Sequence, residues 1–278
     1  MPTIASSGWS HPEVVRYYSQ ARSNLQDLYP SERPLLEGVV PQATSVLDFG
    51  CATGGFLNIF RALHPGIRYL GIDRSTEMIE QARRLHPEGR FKAIKGSAPA
   101  VPNNAFDLVF STGVLNHNPN YPALISKLYG ICSTFCVLDL PRLTTHSYTF
   151  QLSSSHMAMD KPFALKKGNR PDPASVVPYV LANPGPLFKF LLTKLSPRPR
   201  ALAAIGYYGK PNPGVTVPSR RVCFCVVCLF KNIPSRKGNP TLYLDLPSDV
   251  LDQIHAQGIS IPRPSQRSFH EWMEAVVK

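Results

Sequence analysis

Acidic residues are scarce in this chain. Eighteen Asp and Glu stand against 30 Lys and Arg over 278 residues, a formal net charge of +12. The shortage is local. Residues 1–160 carry 13 basic and 12 acidic side chains, residues 161–237 carry 14 basic and the single acid Asp172, and residues 238–278 carry three basic and five acidic. The unbalanced stretch is either a solvated, solubilising surface or a field for an anionic partner such as a phosphorylated small molecule, a carboxylate, a membrane surface or nucleic acid. Long apolar runs are also missing. No stretch approaches the roughly 20 residues of a membrane-spanning helix, and Met1 to Ser10 lacks the basic-then-apolar order of a secretory leader, so the expected location is cytoplasmic. There is no internal repeat. A second ligand pair with zinc spacing is missing too. Cys225 and Cys228 have C-x-x-C spacing among the six cysteines (Cys51, Cys132, Cys136, Cys223, Cys225, Cys228). The segment around them is strand-like, and residues three apart in a strand point to opposite faces. The expectation is therefore buried structural thiols and no metal.

What the chain does have is a βαβ signature. Val46-Leu47-Asp48-Phe49 is an apolar run with an acid in it. Gly50-Cys51-Ala52-Thr53-Gly54-Gly55 is a glycine turn leading into a helix. Tyr69-Leu70-Gly71-Ile72 is a second apolar run, ending on Asp73, 19 residues after Gly54. Gly50 and Gly54 permit a sharp turn and close approach of backbone to a ligand. Asp73 stands where a carboxylate can accept hydrogen bonds from a ribose. A dinucleotide needs G-x-G-x-x-G, but positions 50, 52 and 55 read Gly-Ala-Gly. Asp48 before the loop would repel a pyrophosphate, whereas it suits a cofactor with a cationic end. A dinucleotide-dependent oxidoreductase is disfavoured on both counts.

These motifs resemble those of the class I S-adenosylmethionine-dependent methyltransferases. Val46 to Gly54 is similar to that family's first motif, Tyr69 to Asp73 to the second, Phe91 to Ala98 to the third strand with its adenine contact, and Phe106 to Ser111 to the fourth strand, followed by Gly113-Val114-Leu115-Asn116-His117. The likeness covers roughly residues 44–140. It implies S-adenosyl-L-methionine as cofactor, held by Asp48, Gly50, Cys51, Ala52, Gly54, Asp73, Arg74, Met78, Ser97, Ala98 and Ser111. Tyr18 and Arg22 join them from an N-terminal helix that lids the cofactor. There are two departures: Ala52 replaces a common glycine, and Ser97 replaces an acid that often contacts the adenine amine.

The implied fold is α/β, a doubly wound, mostly parallel seven-stranded Rossmann-like sheet with an antiparallel terminal hairpin and an insertion after strand five. The coarse pattern agrees. Strands are expected at 46–49, 69–72, 91–94, 106–110 and 135–140, with helices between them. Two further strands at 202–208 and 222–230 form the hairpin. The expected division is a helical lid over 1–40, the methyltransferase domain over 41–232 with a substrate cap at 141–200, and an extension over 233–278. One amphipathic helix is expected over 12–28, which would put Tyr18 and Arg22 a turn apart on one face. Ser75 reads as the N-cap of a helix to Leu85.

A sulfonium methyl is already activated, so the protein must chiefly align and exclude water. A base is needed only if the acceptor loses a proton. His117 is the candidate base, with His146 and His156 behind it. Tyr207, Tyr208, Lys210, Arg220 and Arg221 frame the hairpin loop and are candidates for an anionic acceptor pocket. The expected function is methyl transfer to oxygen or nitrogen of a small molecule, anionic or sugar-like. Two alternatives remain, a nucleic-acid methyltransferase and a non-catalytic binding protein of the same fold. Ser111-Thr112-Gly113-Val114 lacks the Asn/Asp-Pro-Pro-aromatic motif of enzymes that methylate exocyclic base amines.

Overall fold

A computed structural model describes residue 9 and residues 11–96, 99–159, 176–212, 214–233, 239–262 and 268–277. The N-terminal segment forms two short helices, α1 (Pro12–Gln20) and α2 (Arg33–Val39). The expected single helix to Leu28 ends at Gln20: Ala21 is extended, and Arg22 follows with a left-handed φ of 60°. A 3₁₀ turn over Leu25–Asp27 follows, where Asp27 accepts from the Ser23 and Asn24 amides at 2.9 and 3.0 Å. Leu25 and Leu28 kept the helical spacing because both pack on the core beside α2.

Strands β1 (Ser45–Phe49), β2 (Arg68–Asp73), β3 (Phe91–Ala93), β4 (Phe106–Ser111) and β5 (Cys132–Asp139) are parallel. Helices α3 (Phe56–Leu63), α4 (Thr76–Leu85) and α5 (Tyr121–Ile131) lie along the same stretch of chain. The spatial order β3-β2-β1-β4-β5 reverses direction between β1 and β4. A crevice at that switch point, at the carboxyl ends of the strands, is where an open α/β sheet binds ligands. Ser75 caps α4 as its sequence predicts, its hydroxyl accepting from the Met78 amide at 3.1 Å.

The chain then departs from the parallel pattern. Strands β6 (Arg142–Leu143) and β9 (Leu181–Ala182) pair with each other, and β6 also pairs with Cys223 of strand β12 (Val222–Phe230). Strands β7 (His156–Ala158), β8 (Val176–Pro178) and β11 (Val215–Thr216) make a separate three-stranded sheet. Helix α6 (Pro184–Thr193) is capped by Asn183. Strands β10 (Ala201–Gly209) and β12 (Val222–Phe230) form the expected antiparallel pair beside β5.

The described residues of 233–278 pack against the main sheet and its helices. Strand β13 (Thr241–Asp245) adds an eighth strand along the main path, parallel to β10. Helix α7 (Ser248–His255) packs on α6, and α8 (Phe269–Val277) on α2. A Cβ on Gly38 of α2 would stand 2.7 Å from the Phe269 ring, so that contact requires glycine. Helix α2 itself is core, with Leu35, Leu36 and Val39 fully buried. Of residues 1–40, then, the segment around α1 is what covers the crevice.

The sheet is covered on both faces. Val46, Leu108, Phe110, Phe135 and Val137 pack on the side of α2, α3 and α8. Leu47, Val109, Cys136 and Leu138 pack on the side of α5, α6 and α7. This alternation along central strands flanked by helices is expected for a doubly wound fold. Cys225 and Cys228 fall in opposite cores, and all six cysteines are buried free thiols. No helix among the described residues is long and apolar enough to cross a membrane.

Candidate active site

A cavity of about 460 Å³ lies over the carboxyl ends of β1, β2, β4 and β5. Its floor comes from the strand-end loops: Phe49 to Thr53 after β1, Asp73 to Glu77 after β2, Thr112 to Val114 after β4, and Asp139 with Arg142 after β5. Its cover is α1 together with the small sheet. Val14, Met78, Met159 and Val177 are buried together there, with Tyr18, Ala52 and Met157 packed against them.

Asp73 is held at one end. One carboxylate oxygen accepts from the Ala52 amide at 3.0 Å and the other from the Ser75 amide at 2.9 Å. Burial raises its pKa while these backbone donors pull it down. Ala52 reaches that position through a positive φ of 47°, with Gly50 and Gly54 at 81° and 85° on either side. Glycine relieves the loop of strain at the outer two positions. Gly55 serves the neighbouring chain instead. Its Cβ would stand 2.7 Å from the Arg22 carbonyl oxygen, so the glycine lets the N-terminal segment cross the loop.

Of the cofactor residues named from sequence, Gly50, Cys51, Ala52, Asp73, Arg74, Met78, Tyr18 and Arg22 line the cavity. Asp48, Gly54 and Ser111 do not. Asp48 is 1% exposed behind the loop and accepts from the Tyr69 hydroxyl at 2.7 Å. Burial drives its pKa up to about 7. Gly54 packs under Phe91. The Ser111 hydroxyl is fully buried and donates to the Phe49 carbonyl at 2.9 Å. Ser97 and Ala98 lie outside the described residues.

Arg22 lines the cavity from a turn, not from a helix face shared with Tyr18. Its guanidinium pairs with Glu32, which is 1% exposed, and sits 4.2 Å over the Tyr29 ring and 4.8 Å over Phe56. Glu32 also accepts from the Thr112 hydroxyl and the Tyr29 amide, both at 3.0 Å. Across the floor, Arg142 donates to Asp139 at 2.7 Å and to the Tyr179 hydroxyl at 3.2 Å, and it stacks 4.5 Å over Phe224. The second Asp139 oxygen accepts from the Gly113 amide at 3.2 Å. Both arginines thus arrive with a buried acid attached.

His117 lines the cavity as the sequence expects, but both ring nitrogens are engaged. Nδ1 lies 2.7 Å from the Pro178 carbonyl, which can only accept, so Nδ1 carries the proton. Nε2 then accepts from the Asn116 amide nitrogen at 3.0 Å. Burial lowers the pKa to about 4. His146 is exposed and His156 is bound to the Leu152 carbonyl, and neither lines the cavity. Tyr207, Tyr208, Lys210, Arg220 and Arg221 are outside it as well. Arg221 stacks 3.8 Å over Tyr208, whose hydroxyl donates to Asp249 at 2.6 Å.

Sequence reasoning missed Glu32, Asp139, Arg142 and Tyr179. Asp139 carried a readable signal, since it is an acid closing the apolar run of a central strand, the same pattern that marked Asp73. Glu32, Arg142 and Tyr179 carried none, because they meet only after the chain folds back over the sheet.

Residues 46–134 match the family described as a methyltransferase domain. A trans-aconitate 2-methyltransferase of Variovorax paradoxus is 24% identical over 159 residues, which cover 57% of this chain and 60% of that protein. A trans-aconitate 2-methyltransferase of Methylobacterium radiotolerans is 32% identical over 92 residues, 33% of this chain and 35% of that one. Both matches span less than two thirds of the relative's length. Among solved structures, a SAM-dependent methyltransferase from Aquifex aeolicus is 13% identical, with coverage of 78% of this chain and 97% of its own and a TM-score of 0.45. The plantazolicin methyltransferase BpumL, solved with a pentazolic desmethylPZN analog and SAH, is 18% identical, with coverage of 82% and 94% and a TM-score of 0.48.

Proposed function

We infer that this chain, whose residues 46–134 match a methyltransferase domain family, transfers the methyl group of S-adenosyl-L-methionine to a small molecule. The observation that carries the reading is Asp73. Its carboxylate is fixed by two loop amides and faces the same cavity as the glycine turn. That arrangement fits a nucleoside: a pre-oriented acceptor for ribose hydroxyls beside a backbone that can approach closely. When bound, the cofactor supplies a methyl group already activated by the sulfonium charge.

The residues divide the remaining work. Asp73 would hold the ribose, Gly50 to Ala52 would bring backbone to the methionine end, and Met78 would pack the adenosine side. Tyr18, whose phenol is pushed up in pKa by burial, stays neutral and closes the site with α1. The small sheet and α1 exclude water, so alignment supplies much of the acceleration. The cavity's size and cover support a small acceptor, as the trans-aconitate 2-methyltransferases that the chain resembles also suggest. The described lysines and arginines of the basic segment do not line the cavity, so none of that charge belongs to the proposed acceptor site.

Calorimetric titration with S-adenosyl-L-methionine, NAD and the Asp73→Ala variant tests this. Expected is binding of the methyl donor near micromolar and none of NAD. Asp73→Ala should weaken the donor about 10- to 100-fold, the range for losing hydrogen bonds to a charged group. NAD binding in place of the donor would refute the reading.

A further inference from the structure

Around the ends of β4 and β5, no described residue is free to take a proton. His117 is committed on both nitrogens, to Pro178 and to Asn116. Asp139 spends one oxygen on Arg142 and the other on the Gly113 amide. Glu32 is shared among Arg22, Thr112 and Tyr29. The phenols of Tyr17 and Tyr179 are held above their ordinary pKa by burial. An alcohol, phenol or ammonium acceptor would have to lose a proton here. A carboxylate is already ionised near neutral pH and needs no base.

One group suits such an anion. The Arg142 guanidinium lines the cavity and is braced by Asp139, Tyr179 and the Phe224 ring. Its Nη2 has no hydrogen-bond partner among the described residues; the Arg22 Nε also lacks one, but it is buried. A braced guanidinium with one free nitrogen is a charge-assisted donor for a single carboxylate. The cavity does not offer more positive charge than that. Its cationic lining residues are Arg22, Arg74 and Arg142, against Asp73, Glu77 and Asp139, with Glu32 bound directly behind Arg22. The rest of the lining combines apolar and aromatic side chains, Trp9, Tyr29, Met157, Met159 and Phe224, with the uncharged polar Thr112, Asn116, Asn118 and Asn212.

We propose that the acceptor is a monocarboxylate on an apolar or aromatic body, held by Arg142 and methylated on its carboxylate oxygen; this rests on the methyltransferase reading above. In the step, the carboxylate oxygen gives a lone pair to the methyl carbon. The carbon–sulfur bond of the sulfonium donor breaks, and its electron pair stays on sulfur. An anion and a cation become a neutral ester and a neutral thioether, and no proton moves. A tricarboxylate such as trans-aconitate is disfavoured, because Arg142 offers a single unpartnered nitrogen, Arg22 is bound by Glu32, and the exposed Arg74 shares the lining with Asp73 and Glu77.

The test is calorimetry on the protein loaded with S-adenosylhomocysteine, titrated with trans-cinnamate and a panel of aryl and alkyl monocarboxylates, the methyl ester of each, and trans-aconitate. Expected is a monocarboxylate that binds at least about tenfold more tightly than its own ester and than trans-aconitate, the size of one charge-assisted hydrogen bond. Arg142→Met should weaken that acid about tenfold or more and leave S-adenosylhomocysteine affinity within about twofold. If that variant fails to fold, Asp139→Asn with Arg142→Met avoids stranding a buried charge. With S-adenosyl-L-methionine, the product should be a base-labile ester. The proposal is overturned if no monocarboxylate outbinds its ester, if trans-aconitate binds best, if a phenol such as p-cresol yields a base-stable methyl ether, or if Arg142→Met loses the cofactor product instead of the acid. Absence of cofactor binding by the intact protein is a different result, and it refutes the methyltransferase reading itself.

Discussion

Glu32→Gln removes a charge while nearly preserving shape, and its effect follows from three bonds. Glu32 is 1% exposed and accepts from the Arg22 guanidinium, the Thr112 hydroxyl and the Tyr29 amide. In the variant, Arg22 is left charged between Tyr29 and Phe56 in the cavity wall. Breaking one side of a buried pair costs about 3–5 kcal/mol. The Arg22 side chain keeps 16% of its exposure, which points to the lower end, about 3 kcal/mol. For a chain of this size that corresponds to a fall in Tm of about 6–12 °C. The double variant Arg22→Met, Glu32→Leu removes both charges and should recover most of the loss, as buried pairs replaced by apolar groups generally do. Urea and thermal denaturation followed by circular dichroism, run as a double-mutant cycle, measure both numbers. A loss under about 1 kcal/mol for the single variant, or a double variant as unstable as the two single losses added, would refute the claim that the pair is a buried hub.

Two further expectations concern pH. Asp48 titrates at about 7 in the folded protein, against roughly 3.9 unfolded. The fold therefore holds the proton more tightly, and this group's stabilisation is lost as pH rises from about 4 through about 7. Asp48→Asn should flatten that slope and be more stable than the parent at pH 8.5, by about 1–3 kcal/mol; parallel stability–pH curves would contradict it. His117 goes the other way, at about 4 in the fold against roughly 6.5 unfolded. Its contribution is complete above about pH 6.5 and is lost as pH falls towards 4. His117→Gln should remove acid sensitivity in that window and lower the methyl-transfer rate less than about fivefold, whereas loss of a general base costs 10²–10⁴-fold.

The fold was legible because its signals are local and repeated. Each of β1, β2, β4 and β5 is an apolar run of the right length, and the glycine turn and the Ser75 cap mark where helices begin. The β10–β12 pair was legible for the same reason. The failures came where two local signals agreed by accident. Leu25 and Leu28 continue the period of α1, yet the chain leaves the helix at Ala21 and turns at Arg22 with a φ of 60°, and their burial comes from packing beside α2. The C-terminal region looked separable because residues 232–240 are polar and carry proline. Pairing of β13 with β10 is non-local, and no window of sequence reports it.

The cavity was legible only where it is built from consecutive loop residues after β1 and β2. The rest of it is assembled from the ends of β4 and β5, the turn at Tyr29 to Glu32, and the chain after β8. The net charge of the 161–237 segment misdirected the search for it. Its described cations are spent on the surface, as with Arg221 on Tyr208, or on structure. Lys231 is 5% exposed and donates to the carbonyls of Tyr129, Gly130 and Cys132, which close the C-terminal end of α5. A lysine there satisfies carbonyls left open by the helix and meets the negative end of its dipole. In this fold the scarce acids mark the site better than the abundant bases. Buried acids need partners, and where Asp73, Asp139 and Glu32 find theirs, the strand ends and the covering segments are brought together.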